Sequence, residues 1–349
     1  MTALADWLFA RIDAEGPLAV ADYMGACLAH PQWGYYVRKD PLGSAGDFVT
    51  APEISQMFGE LLGLWASAVW QSMGSPGAVV LAELGPGRGT LMSDFLRAAE
   101  MVPAFRRALN IHLVEISPVL KAAQRETLRD AHVVWLEDIR DLPEGPVLLL
   151  ANEFFDALPI SQYVRRGNGW HERRIGRDGH HLAFTDGPIA AIEAPLAKDG
   201  DIFEINKPAR DIARWIGQRL TEQPGAALII DYGHSATAVG DTLQAVKGHS
   251  TTDVLDDPGE ADLTAHVDFQ ALAEAAKPAA ATDVTTQGAF LRSLGIELRA
   301  DRLISGTPQK ADMVASACRR LIEPSGMGTL FKVRALTHPG LPTPPGFVR

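Results

Sequence analysis

Two cysteines, Cys27 and Cys318, stand in 349 residues. They are too few and too far apart for a disulfide framework or a Cys-x-x-Cys metal knuckle, so a reducing compartment and no metal site are expected. Basic charge is also short, with 32 Lys and Arg against 43 Asp and Glu and a formal net charge of -11. Phosphate binding rests on concentrated Lys and Arg, which argues against nucleic acid as a partner. No apolar run approaches the roughly 20 residues of a membrane helix, so no membrane insertion is expected. Residues 1–7 lack the basic-then-apolar pattern of a secretory signal, and a cytoplasmic location follows. Internal repeats and low-complexity tracts are missing as well, which excludes solenoid and fibrous architectures.

What is present is an ordinary globular composition, 46% hydrophobic and 21% charged. The length suits two units or one long α/β domain. Residues 1–75 read as a helical cap with a Gly- and Pro-rich connection, and its last helix carries the apolar stripe Ile54, Met57, Phe58, Leu61, Leu62 and Trp65. From residue 76 to 337, short apolar runs alternate with helical stretches. The runs fall at 79–84, 111–115, 133–136, 147–151 and 226–232, and a last strand at 328–333. Continuous apolar strands separated by helices predict a parallel sheet covered on both faces, a doubly wound α/β fold. Within it, about 160–205 reads as an inserted β-meander, and 338–349 as an extended tail.

The first strand ends in Glu83-Leu84-Gly85-Pro86-Gly87-Arg88-Gly89-Thr90. Glycines there let backbone approach a ligand at positive φ, and the helix that follows offers unpaired N–H groups. A dinucleotide dehydrogenase would read GxGxxG, whereas this turn reads GxGxG with Glu83 ahead of it and Thr90 in place of the third glycine. Glu115 closes the second strand, where a carboxylate can accept both ribose hydroxyls. Asp138 closes the third and is placed for an adenine amino group. Acids in that order after the turn select S-adenosylmethionine over a nicotinamide dinucleotide.

The fourth strand runs into Asn152-Glu153-Phe154-Phe155-Asp156-Ala157-Leu158-Pro159, beyond the carboxyl end of the sheet where ligands sit. Asn152 falls on the cofactor side. A guanidinium has a pKa above about 12 and a delocalised lone pair, so two carboxylates gripping its fork would orient it for methyl transfer. Glu153 and Asp156 are the candidates. For Asp156 the alternative is simply a cap on the following turn.

Four segments together resemble the MidA-like family of methyltransferases: 46–55, 83–90, 152–159 and 262–269. The resemblance covers about residues 16–332 and implies the class I methyltransferase fold, Rossmann-like. It also implies symmetric dimethylation of an arginine in a core subunit of respiratory complex I, since the mitochondrial members are arginine methyltransferases that assist its assembly. It places Gly46, Asp47, Thr50, Pro52 and Glu53 over the cofactor as a lid, and His266 and Asp268 on the substrate side. Without an Arg-rich presequence the chain reads as a bacterial member. A protein substrate is thus the expected partner, with a homodimer left open. Two rival readings stand beside this one, a small-molecule methyltransferase and a cofactor-binding assembly factor without turnover.

Overall fold

A computed structural model describes residues 2–38 and 49–347. Its central sheet has nine strands among the described residues. Five of them run parallel in the spatial order Gly225–His234, Val147–Asn152, Val79–Leu84, Leu109–Val114 and Val133–Leu136. Phe331–Thr337 adds antiparallel beside Gly225–His234. The chain therefore leaves Val79–Leu84 toward one edge and returns on its other side at Val147–Asn152. That reversal is the topological switch point, where a crevice opens at the carboxyl ends of two adjacent strands.

The strand Val79–Leu84 is buried at every position, and Val147–Asn152 at all but the last. Apolar side chains point to both faces, which only a sheet with helices on both sides can bury. Lys207–Glu222 and Phe269–Ala275 cover one face through Ala213, Ile216, Leu220 and Leu272. Thr90–Ala99 and Gln56–Ser72 cover the other, with Phe95, Phe58 and Trp65 in that core. The tail docks on it too: Trp65 Nε1 donates to the Pro345 carbonyl at 3.1 Å, and the Phe347 ring packs tilted against Phe290 with centroids 5.4 Å apart.

The grouping of residues 1–75 as one cap needs correction. The helix Gln56–Ser72 belongs to the main layer, because Gly59 and Gly63 lie one turn apart and let it press onto Thr90–Ala99. A Cβ at either position would fall within 2.8 Å of the Leu91 or Phe95 carbonyl. Apolar periodicity alone could not say which partner that stripe would meet. Two helices nearer the N-terminus, Ala3–Glu15 and Val20–Ala29, share a separate core with the inserted strands through Leu8, Tyr23, Ile160 and Ile175. That insertion comprises Ser161–Arg166, Gly169–Asp178, His181–Ala190 and Ile202–Ile205, and Leu18–Ala19 pairs onto its second strand. A three-stranded sheet at Gln244–Lys247, Ser250–Thr252 and Asp262–Thr264 also joins this core and was not read from the sequence.

Candidate functional site

The glycine turn leaves the sheet at the switch point. Gly85, Gly87 and Gly89 take φ of +59°, +55° and +82°, the left-handed region that side chains avoid. Gly85 is doubly constrained, since a Cβ there would sit 2.9 Å from the Phe154 ring. Gly89 is the N-terminal cap of the helix Thr90–Ala99 but lies outside the cavity lining. The Thr90 hydroxyl donates to Glu53 at 2.5 Å, which ties the helix start to the segment above it. Glu83 is 3% exposed, and burial pushes its carboxyl up to about 8. Its Oε2 has no hydrogen-bond partner.

Glu115 follows the neighbouring strand. Its Oε1 accepts the Ser117 N–H at 2.8 Å and its Oε2 accepts Gln124 Nε2 at 3.2 Å. Burial raises its carboxyl, opposed first by the Ser117 N–H. Gln124 also donates to the Gly87 carbonyl at 2.7 Å and accepts Trp135 Nε1 at 2.9 Å. It thereby locks the turn to the acidic strand end. A glutamine on the buried side of the helix Pro118–Thr127 was the only signal in the sequence for that role.

Asp138 does not join them. It caps a short 3₁₀ turn at Ile139–Asp141, and the Arg140 guanidinium takes both its oxygens at 2.8 and 2.6 Å on the exposed surface. Its place at a strand end suggested the adenine, but a cation two residues away claims the carboxylate locally.

The fourth strand delivers the second acidic group. Glu153 has φ of +51°, uncommon for a residue with a side chain, and its N–H donates to the Ile230 carbonyl at 2.9 Å. Its Oε1 accepts the Ala51 N–H at 3.2 Å and the Asn152 amide at 3.1 Å. Asp156 is 5% exposed, and its Oδ1 accepts nothing. Burial, with Asp156 beside it, pushes Glu153 up to about 8, and burial raises Asp156 to about 6.

This loop hangs on Asp231, which the sequence analysis did not single out. Asp231 Oδ2 accepts the N–H groups of Phe154, Phe155 and Asp156 at 3.2, 3.0 and 3.3 Å, and Oδ1 accepts that of Tyr232 at 3.0 Å. Burial, then Asp156 and Glu153, push its carboxyl well above the usual carboxylate range. One acid near the end of the otherwise apolar run at 226–232 was the available clue.

Thr50 caps the short helix Ala51–Ile54, and Thr50, Pro52 and Glu53 face the same cavity. Gly46 and Asp47 lie outside the described residues. His266 lines the cavity with its ring edge-on to Tyr232 at 5.6 Å, and burial lowers its pKa. Asp268 is diverted instead. It caps the helix Phe269–Ala275 through the Ala271 N–H at 2.9 Å and accepts the Thr237 hydroxyl at 2.7 Å, away from the cavity.

One cavity of about 690 Å³ unites these groups. Glu83, Gly85, Gly87, Thr90, Glu115 and Asn152 line it together with Glu153, Asp156, Tyr232 and His266. Its size falls within the roughly 300–1,000 Å³ usual for small-molecule sites. The lining fits S-adenosylmethionine on its own chemistry. Unpartnered buried acceptors on Glu83 and Asn152 suit an ammonium group, Glu115 suits a diol, and the glycines at 85 and 87 let the backbone of the turn approach the ligand.

Residues 61–288 match the family of S-adenosyl-L-methionine-dependent methyltransferases. The zebrafish (Danio rerio) protein arginine methyltransferase NDUFAF7, mitochondrial, is 38% identical over 93% of this chain and 84% of its own length. The mouse (Mus musculus) protein of that name is 39% identical over 96% and 84%. A Burkholderia thailandensis protein crystallised with S-adenosyl-homocysteine superposes with a TM-score of 0.86 at 29% identity, covering 99% of this chain and 94% of that one. With the switch-point cavity and its glycine turn, these matches place the chain in one family: it belongs to the S-adenosyl-L-methionine-dependent methyltransferases that include the mitochondrial NDUFAF7 proteins.

Proposed function

We propose that this methyltransferase acts on an arginine side chain of a protein, a core subunit of respiratory complex I in the reading that family membership suggests. In this proposal Glu83, Gly85, Gly87, Thr90, Glu115 and Asn152 hold the cofactor, and Gly89 shapes the turn from outside the lining. Thr50, Pro52 and Glu53 close over the cofactor. When bound, S-adenosylmethionine supplies an activated methyl group on a sulfonium. The chain's own work is then to bind an acceptor nitrogen, orient it and exclude water.

The observation that carries the arginine reading is the pair Glu153 and Asp156. Both carboxyls stand in the cavity, desolvated and raised in pKa, and Asp156 Oδ1 has no donor. A guanidinium offers five donors and a permanent charge, so its entry would ionise both acids and satisfy them together. Gripped in this way, its positive charge is drawn toward the carboxylates and away from the attacking nitrogen.

Glu153→Gln tests the proposal. It should keep cofactor affinity by calorimetry and lose methyl transfer to arginine in complex I subunits, read by mass spectrometry. Full transfer by that variant would rule the clamp out, and a cofactor-binding assembly factor would tolerate the change without consequence. Loss of arginine methylation in a strain lacking this protein should show the same sites missing.

A further inference from the structure

Two residues 226 positions apart meet in the lining of the cavity. The Tyr36 phenol donates to Asp262 Oδ1 at 2.8 Å, and Asp262 is 5% exposed. Both line the cavity that holds Asp156, whose Oδ1 is buried without a donor. Leaving such an oxygen unpaired costs free energy, more for a charged group, so the site suits a donor that arrives from outside.

A phenol accompanies each acid, Tyr36 donating to Asp262 and Tyr232 lining the cavity with Asp156 as a charged neighbour. Burial, then the nearby acids, push both phenols well above their ordinary value, so they remain donors. Tyr36 aims Asp262, and neither phenol brings a positive charge of its own. Tyr36 is itself fixed from the cofactor side. Ser117 Oγ donates to the Tyr36 carbonyl at 2.6 Å, and the Ser117 N–H donates to Glu115 at 2.8 Å. A continuous run of hydrogen bonds thus joins the strand end assigned to the ribose to Asp262.

We propose that Asp262, aimed by Tyr36, and the open Oδ1 of Asp156 form a subsite for a planar cation, the guanidinium of the acceptor. This rests on the arginine reading above and extends it to residues outside the Asn152–Pro159 loop. Two carboxylates on one cavity favour a fork-shaped, bidentate cation over a point-charge ammonium. Asp262 contacts the acceptor directly, whereas Tyr36 is a positioning residue.

The test uses the full chain loaded with S-adenosyl-homocysteine and titrated calorimetrically with 1-methylguanidinium, n-butylammonium and the neutral isostere N-methylurea. The wild-type protein should bind methylguanidinium in preference to the other two. Asp262→Asn should weaken that binding about ten- to a hundredfold, the equivalent of the roughly 1.5–3 kcal/mol of a hydrogen bond to a charged group. Tyr36→Phe should weaken it less. Affinity for S-adenosyl-homocysteine should hold in both. With an arginine peptide the loss should fall on KM, with kcat changed far less. Should Asp262→Asn fail to fold, Tyr36→Phe removes a single hydroxyl and carries the same test. Wild-type methylguanidinium affinity in both variants would overturn this subsite and leave the arginine reading standing. Equal binding of N-methylurea, or no binding of any probe, would overturn both.

Discussion

Asp231→Asn removes one charge and almost no volume. In the native loop the carboxylate accepts three N–H groups on Oδ2 and one on Oδ1. An amide has one acceptor oxygen, so whichever way it turns its NH₂ meets a backbone N–H. At best it keeps the three loop bonds as neutral ones and loses the bond from Tyr232. A charged hydrogen bond is worth about 1 kcal/mol more than a neutral one and about 2 kcal/mol in full, so three conversions and one loss come to about 5 kcal/mol. Neutralisation also relieves burial of the charge and repulsion from Asp156 and Glu153, the causes that hold this carboxyl above its usual range. A net loss on the order of 2 kcal/mol should leave the protein folded, given the roughly 5–15 kcal/mol of a typical domain. The larger effect falls on geometry. Glu153 sits at φ +51°, which costs roughly 1–2 kcal/mol and persists only while its surroundings enforce it. With the clamp weakened, methyl transfer to arginine should slow on the order of a hundredfold, as misplacement by about 1 Å does. Affinity for S-adenosyl-homocysteine should stay near wild type. Single-turnover transfer beside calorimetry and urea unfolding reads all three. An unchanged transfer rate in a destabilised protein would refute the positioning role, and parallel loss of cofactor affinity would show a general collapse of the site.

Gly85→Val should abolish cofactor binding while the chain still folds, because a β-branched residue at φ +59° must also push against Phe154 2.9 Å away; unchanged calorimetric affinity would move the cofactor elsewhere. The cofactor-free protein should lose stability as pH rises from about 6.5 to 8. Glu83 and Glu153 hold protons up to about 8 in the folded state against an ordinary 4.5, so over that window the unfolded chain binds fewer protons. His112 and His266, lowered by burial from 6.5, act in the opposite sense only at lower pH. A urea midpoint that rises across this window, or one whose fall survives in Glu83→Gln combined with Glu153→Gln, would contradict the assignment.

The sequence by itself determined the parts that local physics governs. The run 147–151 is apolar at every position and 79–84 at all but Glu83, and that pattern suits a strand covered on both faces. Glycines at 85, 87 and 89 could be read because left-handed backbone selects for them within a few residues. The acids at 83, 115, 153 and 156 could be read from their place at the ends of parallel strands, which share one edge of the sheet. Tertiary structure decided which groups the cavity finally holds. Asp138 and Asp268 had the right residue type and order, yet Arg140 and a helix N-terminus took them because those partners were nearer in the chain. Asp231 entered through register, since Ile230 pairs with Asn152 across the sheet and brings the next residue beneath the loop. Tyr36 and Asp262 meet only because the N-terminal helices and the strand Asp262–Thr264 share a core. Periodicity and spacing constrain a residue's neighbours along the chain. Contacts across 77 or 226 residues depend on how the layers close, and only the closed fold contains them.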